Sequence, residues 1–281
     1  ISAQSGGHIR PPECTQVHGG AMASKHCNII DLVEKVVPTP TLSDALPYGA
    51  FCVNDKVTIH ISATPANNVD EQKLFADEVW AGAVSMSEYL RLNPKVCEGK
   101  YVLELGAGAA LPSLVSLALG CRRCVITDYP CQSIIENIHK MVRENNFSND
   151  RAYVRPHCWG DDTSDLVVLA HPDRRGFDLV LLAELLWAGT VDQHAPLLAS
   201  LSATLSKDGV CLLAFCHHST PKHPPERDIQ FLHMAEQAGF VVTRLVTDES
   251  AWLFEGGGYE TDKVHMFHLC WRSEEKEEKK R

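Results

Sequence analysis

Residues 101–108, Tyr-Val-Leu-Glu-Leu-Gly-Ala-Gly, run an apolar stretch directly into two glycines, and a second apolar stretch, Val125-Ile-Thr-Asp128, ends in an acid. That order reads as a buried strand, a sharp turn, a helix and a second strand, the repeating unit of a parallel sheet. Gly106 and Gly108 lack a Cβ, so the chain can turn tightly there and let a ligand approach its N–H groups. Asp128 closes the second strand, where a carboxylate can accept hydrogen bonds from both ribose hydroxyls of a nucleoside. Together these features predict a nucleotide-type cofactor held by Gly106, Ala107, Gly108 and Asp128.

A dinucleotide fingerprint places a third glycine three positions after the second, for close helix–strand packing. Leu111 stands at that position here, followed by Pro112. Glu104 separates the possibilities further, because it lies in the turn region where a pyrophosphate would sit. A carboxylate repels phosphate and suits a cation, such as the ammonium of a methionine moiety. S-adenosylmethionine carries an amino acid, a sulfonium and an adenosine without phosphate, so charge favours it over NAD. A glycine turn that binds nothing is the plainer alternative.

At 281 residues and 44% hydrophobic content, the chain can bury a full core in one domain and carry an extension. A net charge of −10 without a basic stripe argues against a nucleic-acid partner. The eleven cysteines are scattered. Cys97, Cys121, Cys124, Cys131, Cys158, Cys211, Cys216 and Cys270 mostly lie in or beside apolar segments, which suits small buried hydrophobes in a reducing, cytoplasmic setting. No apolar run is long enough to span a membrane; the nearest, residues 102–121, contains Glu104 and Pro112. No signal peptide is evident, the chain begins at Ile1, and Met22 is a candidate start.

Residues 1–46, rich in Gly, Pro, Ser and His, read as an irregular extension with a short helix around 30–37. Residues 47–272 read as one domain, and 273–281 as a solvated charged tail. Residues 51–53 and 57–61 alternate around Asn54-Asp55 as a β-hairpin, and 79–92 carry helical spacing. Strands then alternate with helices: strands at 101–105, 124–127, 153–157, 178–183 and 210–215, helices at 112–119, 133–145, 193–205 and 228–238. Residues 241–246 and 264–269 read as a closing antiparallel pair. The predicted fold is α/β, a doubly wound, mostly parallel seven-stranded sheet with an antiparallel C-terminal hairpin and ligands at the strands' carboxyl ends.

Several stretches share one family likeness: Trp80-Ala-Gly-Ala, Val102-Leu-Glu-Leu-Gly-Ala-Gly108, Thr127-Asp-Tyr-Pro130, Asn137, Trp159-Gly160 and the acid after the fourth parallel strand. The chain resembles the seven-β-strand, Rossmann-like methyltransferases and, within them, the family 16 protein methyltransferases. The strings WAGAVSMSEYL, VLELGAGAALPSLV, VITDYP and RDIQFLHMAEQAGF carry most of this likeness, which covers about residues 48–272. The resemblance implies S-adenosylmethionine as cofactor, with contacts at Trp80, the Gly106–Gly108 turn, Asp128, Trp159 and Ala183. Trp80 would wall the methionine end, Trp159 would lie against the adenine, and Ala183 would leave room beneath the methyl group. Either tryptophan could equally be a core or surface-anchoring aromatic.

One departure concerns the acceptor. Lysine-directed relatives carry Asp-x-x-Tyr or Asp-x-x-Phe after that strand, whereas this chain has Glu184-Leu-Leu-Trp187. The Asn-Pro-Pro-aromatic run of nucleic-acid amine methyltransferases is absent. The resemblance implies a protein substrate, with elongation factor 1-alpha modified at its start, and the enzyme is expected to act as a monomer. Glu184 would hold and orient the acceptor amine, with Trp187 as an aromatic wall for the cation; the simpler reading of Glu184 is a strand-end acid capping the next turn. A small-molecule, nicotinamide-like amine methyltransferase and a non-catalytic cofactor-binding partner protein remain alternatives. Cys121-x-x-Cys124 has no second pair to complete a zinc site, so no metal is expected. Cys216-His217-His218 with His223 reads as surface histidines or an acceptor loop, and Gly256-Gly-Gly258 with Tyr259 as a hairpin connection.

Overall fold

A computed structural model describes residues 49–62, 76, 78–173, 175–186, 188–217, 226–245 and 264–273. The chain opens on a hairpin of β1 (Ala50–Asn54) and β2 (Val57–His60). Asn54 Oδ1 closes it by accepting from the backbone N–H of Lys56 at 2.9 Å and of Val57 at 3.0 Å, the local turn for which asparagine is suited. Helix α1 (Ala81–Leu92) follows, and then strands alternate with helices: β3 (Tyr101–Glu104), α2 (Leu111–Ala118), β4 (Arg123–Asp128), α3 (Gln132–Glu144), β5 (Ala152–Pro156), the short α4 (Ser164–Val167), β6 (Phe177–Ala183), α5 (His194–Thr204), β7 (Leu205–Phe215), α6 (Glu226–Gln237), β8 (Phe240–Arg244) and β9 (His265–Trp271).

The main sheet has seven strands in the order β5-β4-β3-β6-β7-β9-β8. The first five are parallel, and β9 runs antiparallel to both β7 and β8. Residues 179–183 of β6 and 210–215 of β7 read as unbroken apolar runs because both faces are covered there. Along β7, Val210, Leu212 and Ala214 face one core, while Cys211, Leu213 and Phe215 face the other. Helices α1, α2 and α3 contribute to the first core, and α5 and α6 to the second. The predicted alternation and the antiparallel close are both present.

The differences lie at the element edges. Residues 205–209 begin β7, where the sequence predicts the end of a helix and a turn. Polar Ser206, Lys207 and Asp208 mask the strand pattern, and the register slips opposite residues 177–179. A Cβ on Gly209 would stand 2.6 Å from the Phe177 carbonyl oxygen, so glycine alone fits that crossing. Helix α4 and the 3-10 turns Pro94–Val96 and Ala188–Gln193 are additions to the predicted elements. The proposed helix at 30–37, the Gly256–Gly258 segment and Tyr259 lie outside the described residues.

Strand order reverses at β3, since the chain leaves it toward β4 and β5 and returns to β6 on its other side. A crevice opens at such a switch, at the carboxyl ends of the strands. The hairpin docks against α3. Asn145 Oδ1 accepts from the His60 N–H and its Nδ2 donates to the His60 carbonyl, both at 2.7 Å. Asn137 Nδ2 donates to the Ser62 carbonyl at 2.9 Å.

Candidate cofactor and acceptor site

The turn after β3 is stitched to the end of β4. Ala107 N–H donates to the Thr127 carbonyl at 2.9 Å, Thr127 Oγ1 donates to the Glu104 carbonyl at 2.7 Å, and Gly108 N–H donates to Asp128 Oδ2 at 2.7 Å. Gly106 has φ +65°, and a Cβ there would stand 2.7 Å from Leu185 Cδ2 and 3.1 Å from Trp159 Cζ2. The missing side chain therefore lets the turn, the Trp159 ring and the residue after Glu184 meet. Leu185 has no signal in the sequence beyond its apolar character.

Two acids lie under this turn. Glu104, 1% exposed, accepts from the Ser113 N–H at 3.0 Å, which places its carboxyl at the N-terminus of α2, where the helix dipole favours negative charge. Burial pushes its acid up to about 8, the Ser113 hydrogen bonding pulls it back, and nearby Asp128 raises it. Asp128 accepts from Gly108 N–H through Oδ2 and from its neighbour Tyr129 N–H through Oδ1, the latter at 2.7 Å. Burial pushes Asp128 up to about 6 against those donors. Two buried acids beside one glycine turn disfavour a pyrophosphate and suit a cationic, phosphate-free ligand, so these residues fit S-adenosylmethionine.

Trp159 is half-buried in the loop after β5. Two anchors flank it: His157 Nε2 and the Gly160 N–H both meet Ser200 Oγ of α5 at 2.9 Å. Ala183 ends β6 opposite Ala214 of β7, two small residues side by side near the carboxyl ends of these strands.

Glu184, directly after β6, adopts φ +55° and joins three elements. Its Oε1 accepts from Gly82 N–H of α1 at 2.7 Å, its Oε2 from Cys216 N–H beyond β7 at 3.0 Å, and its own N–H donates to the Ala214 carbonyl at 2.8 Å. The carboxylate thus caps the first turn of α1, whose N-cap is half-buried Trp80. A Cβ on Gly82 would lie 2.8 Å from Oε1, which explains the glycine in Trp80-Ala-Gly-Ala. The capping reading of Glu184 holds in kind, but it caps a helix 102 residues away rather than its own turn. Gly82 and Cys216 are site residues that the sequence reading missed. A glycine inside a helix, where it is otherwise unfavourable, was the available signal for Gly82.

Trp187, His218 and His223 lie outside the described residues. His217 Nδ1 pairs with Asp228 Oδ2 of α6 at 2.9 Å. Cys121 and Cys124 are buried free thiols, and among the described residues no group of three or more His, Cys, Asp or Glu is placed to hold a metal ion. Among the same residues no helix is long and apolar enough to cross a membrane.

A family model described as lysine methyltransferase matches residues 66–238. The chain is 29% identical to the protein N-terminal and lysine N-methyltransferase efm7 of Schizosaccharomyces pombe over 190 residues, 66% of this chain and 73% of that one. It is 33% identical to the protein of the same description from Emericella nidulans over 226 residues, 73% of this chain and 83% of that one. Among solved structures it is similar to the glycopeptide N-methyltransferase MtfA complexed with S-adenosyl-L-methionine, at TM-score 0.44 and 16% identity, covering 68% of this chain and 94% of that chain.

Proposed function

We infer the acceptor from one premise: the chain belongs to the lysine methyltransferase family and is an S-adenosylmethionine-dependent protein methyltransferase. The reading supported best is transfer to the N-terminal α-amine of a protein, with a lysine near that terminus as second acceptor. The observation that carries it is the description shared by the two fungal relatives, which match 66% and 73% of this chain.

S-adenosylmethionine supplies a methyl group on a positively charged sulfur. The protein's part is alignment and exclusion of water, because the displacement is in line and needs no covalent enzyme intermediate. Asp128 would accept the ribose hydroxyls on lone pairs left over from its two N–H donors. Trp159 would lie against the adenine, Trp80 would wall the methionine end, and Glu104 with the Gly106–Gly108 turn would complete that end. Ala183 leaves space beneath the methyl group.

The acceptor must arrive as a neutral amine. A lysine side chain, with a pKa of about 10.4, is about 0.1% neutral near pH 7.4, whereas an α-amine, about 7.7–8.0, is tens of per cent neutral. Glu184 beside an ammonium raises its pKa, so this carboxylate orients the amine rather than deprotonating it. Its two main-chain donors fix it for that task. Trp187 is proposed, from its place in the sequence alone, as an aromatic wall for the cation. Elongation factor 1-alpha is the proposed protein, on the family likeness in the sequence, and a monomeric, cytoplasmic enzyme is proposed with it; the net charge of −10 supports only the proposed lack of nucleic-acid partners.

Radiolabelled S-adenosylmethionine offered with a cytosolic extract and, separately, with small amines including nicotinamide tests the reading. Label is expected in a single protein band of elongation factor 1-alpha size, in a terminal peptide by mass spectrometry, and lost when the α-amine is acetylated. Label confined to the small amines would replace the reading with small-molecule methylation. No label despite cofactor binding would make the chain a cofactor-binding partner protein.

A further inference from the structure

The Trp159 loop is held by a residue that belongs to neither the loop nor the cofactor motifs. Ser200 lies on α5, 1% exposed, and its Oγ meets His157 Nε2 and Gly160 N–H, each at 2.9 Å. These partners bracket Trp159 two residues before and one residue after. Main-chain bonds tie the loop's start to the end of β4, where His157 N–H donates to the Asp128 carbonyl at 2.8 Å, and close a turn across Trp159 and Gly160, where Asp161 N–H donates to the Cys158 carbonyl at 3.1 Å. Beyond Trp159, Gly160 turns with φ +87°, and a Cβ there would stand 3.1 Å from Pro196 of the same helix. The loop therefore lies close against α5, and the Ser200 hydroxyl is the polar pin at that contact.

Gly160 N–H donates to Ser200 Oγ, and the same oxygen shares one hydrogen with His157 Nε2, the donor being set by the imidazole tautomer. His157 is 6% exposed, and its burial lowers its basicity, which favours the neutral imidazole. Loss of the hydroxyl would leave an imidazole nitrogen and a main-chain N–H without the partner that now satisfies both.

We propose that Ser200 is the positioning residue of the adenine wall: by bonding both flanks of Trp159 it sets the ring against the Gly106 turn, and it governs cofactor affinity without touching the cofactor. The proposal rests on Trp159 facing the adenine. The geometry that links them is the 3.1 Å separation of Trp159 Cζ2 from the point where a Gly106 Cβ would stand.

Titration calorimetry of the full chain with S-adenosylmethionine and with S-adenosylhomocysteine reads this out, beside methylation of an acceptor peptide at saturating cofactor. Ser200→Ala and the near-isosteric Ser200→Cys should weaken both ligands about five- to tenfold, the size of one or two lost hydrogen bonds. The rate at saturating cofactor should stay within about twofold of the parent, because a positioning role in binding acts on KM rather than kcat. Thr204→Val is the control: its buried Oγ1 donates to the Ser200 carbonyl in the same helix, so it reports loss of a hydroxyl from α5 alone. It should lower the melting temperature as Ser200→Ala does and leave both affinities unchanged. Equal losses of affinity in Thr204→Val and Ser200→Ala would reduce Ser200 to general helix stability and overturn the proposal. Unchanged affinity in Ser200→Ala, with Trp159→Ala weakened, would overturn it while the adenine wall stands. Unchanged affinity in both would remove the wall as well. Each readout of binding is independent of which acceptor the enzyme uses.

Discussion

Asp128 combines two duties with opposite demands. Its oxygens anchor the glycine turn through Gly108 and the following residue through Tyr129, while burial pushes its acid up to about 6. In the ionised form all its remaining lone pairs can accept from ribose hydroxyls; protonation converts one of them into a donor site. Asp128 should therefore add a fall in cofactor affinity as pH drops through about 6, separate from the change that Glu104 contributes nearer pH 8. Calorimetry from pH 5 to pH 8 checks this, and Asp128→Asn should bind more weakly and lose the step near pH 6. An unchanged pH profile in Asp128→Asn would assign the titration elsewhere. This residue was legible in the sequence, because an acid at the end of the second strand has a fixed place in the topology. Glu104 was legible as an acid of the turn region, but its position under the N-terminus of α2 was not, since that depends on how the helix returns over the strand.

Most elements were read with edges shifted by a residue or two, β7 with its early start being the exception, because continuous apolar runs mark strands covered on both faces. Contacts between distant elements left less trace, and the junction of α1, β6 and β7 shows why. Glu184 reads as a local strand-end acid, yet its carboxylate binds Gly82 and Cys216, far apart in sequence. The contact makes the sign of a common substitution reverse. Gly→Ala inside a helix ordinarily stabilises by about 0.5–1 kcal/mol. At Gly82 the new methyl would meet the carboxylate at 2.8–2.9 Å, so Gly82→Ala should destabilise. Removing the carboxylate as well, in Gly82→Ala with Glu184→Ala, should restore the ordinary helix gain relative to Glu184→Ala alone. Denaturant unfolding of the four proteins gives the coupling, expected at about 1–3 kcal/mol for groups in contact. Additive effects would show that the carboxylate moves aside without cost.

Across the whole molecule, the buried acids make stability and ligand binding two views of one proton balance. Burial raises Glu104 from its usual 4.5 to about 8. Below about pH 4.5 this carboxyl is protonated whether the chain is folded or unfolded, and it favours neither state. Between there and about pH 8 the unfolded chain has released the proton and the folded chain retains it, so stability falls as pH rises through that window. Asp128 adds the same sign over a narrower range, between about 3.8 and about 6. A bound ammonium beside Glu104 would favour the charged form and release the proton, so the cofactor should stabilise the fold more at pH 8 than at pH 6. Melting curves with and without S-adenosylmethionine across that range test both halves. The cofactor-free Tm should decline from pH 5 to pH 8, Glu104→Gln should flatten the decline because an amide has no proton to lose, and the gain in Tm on adding cofactor should grow with pH in the parent and not in the variant. A cofactor gain that is constant with pH in the parent would separate Glu104 from the ammonium and leave it a helix-capping acid.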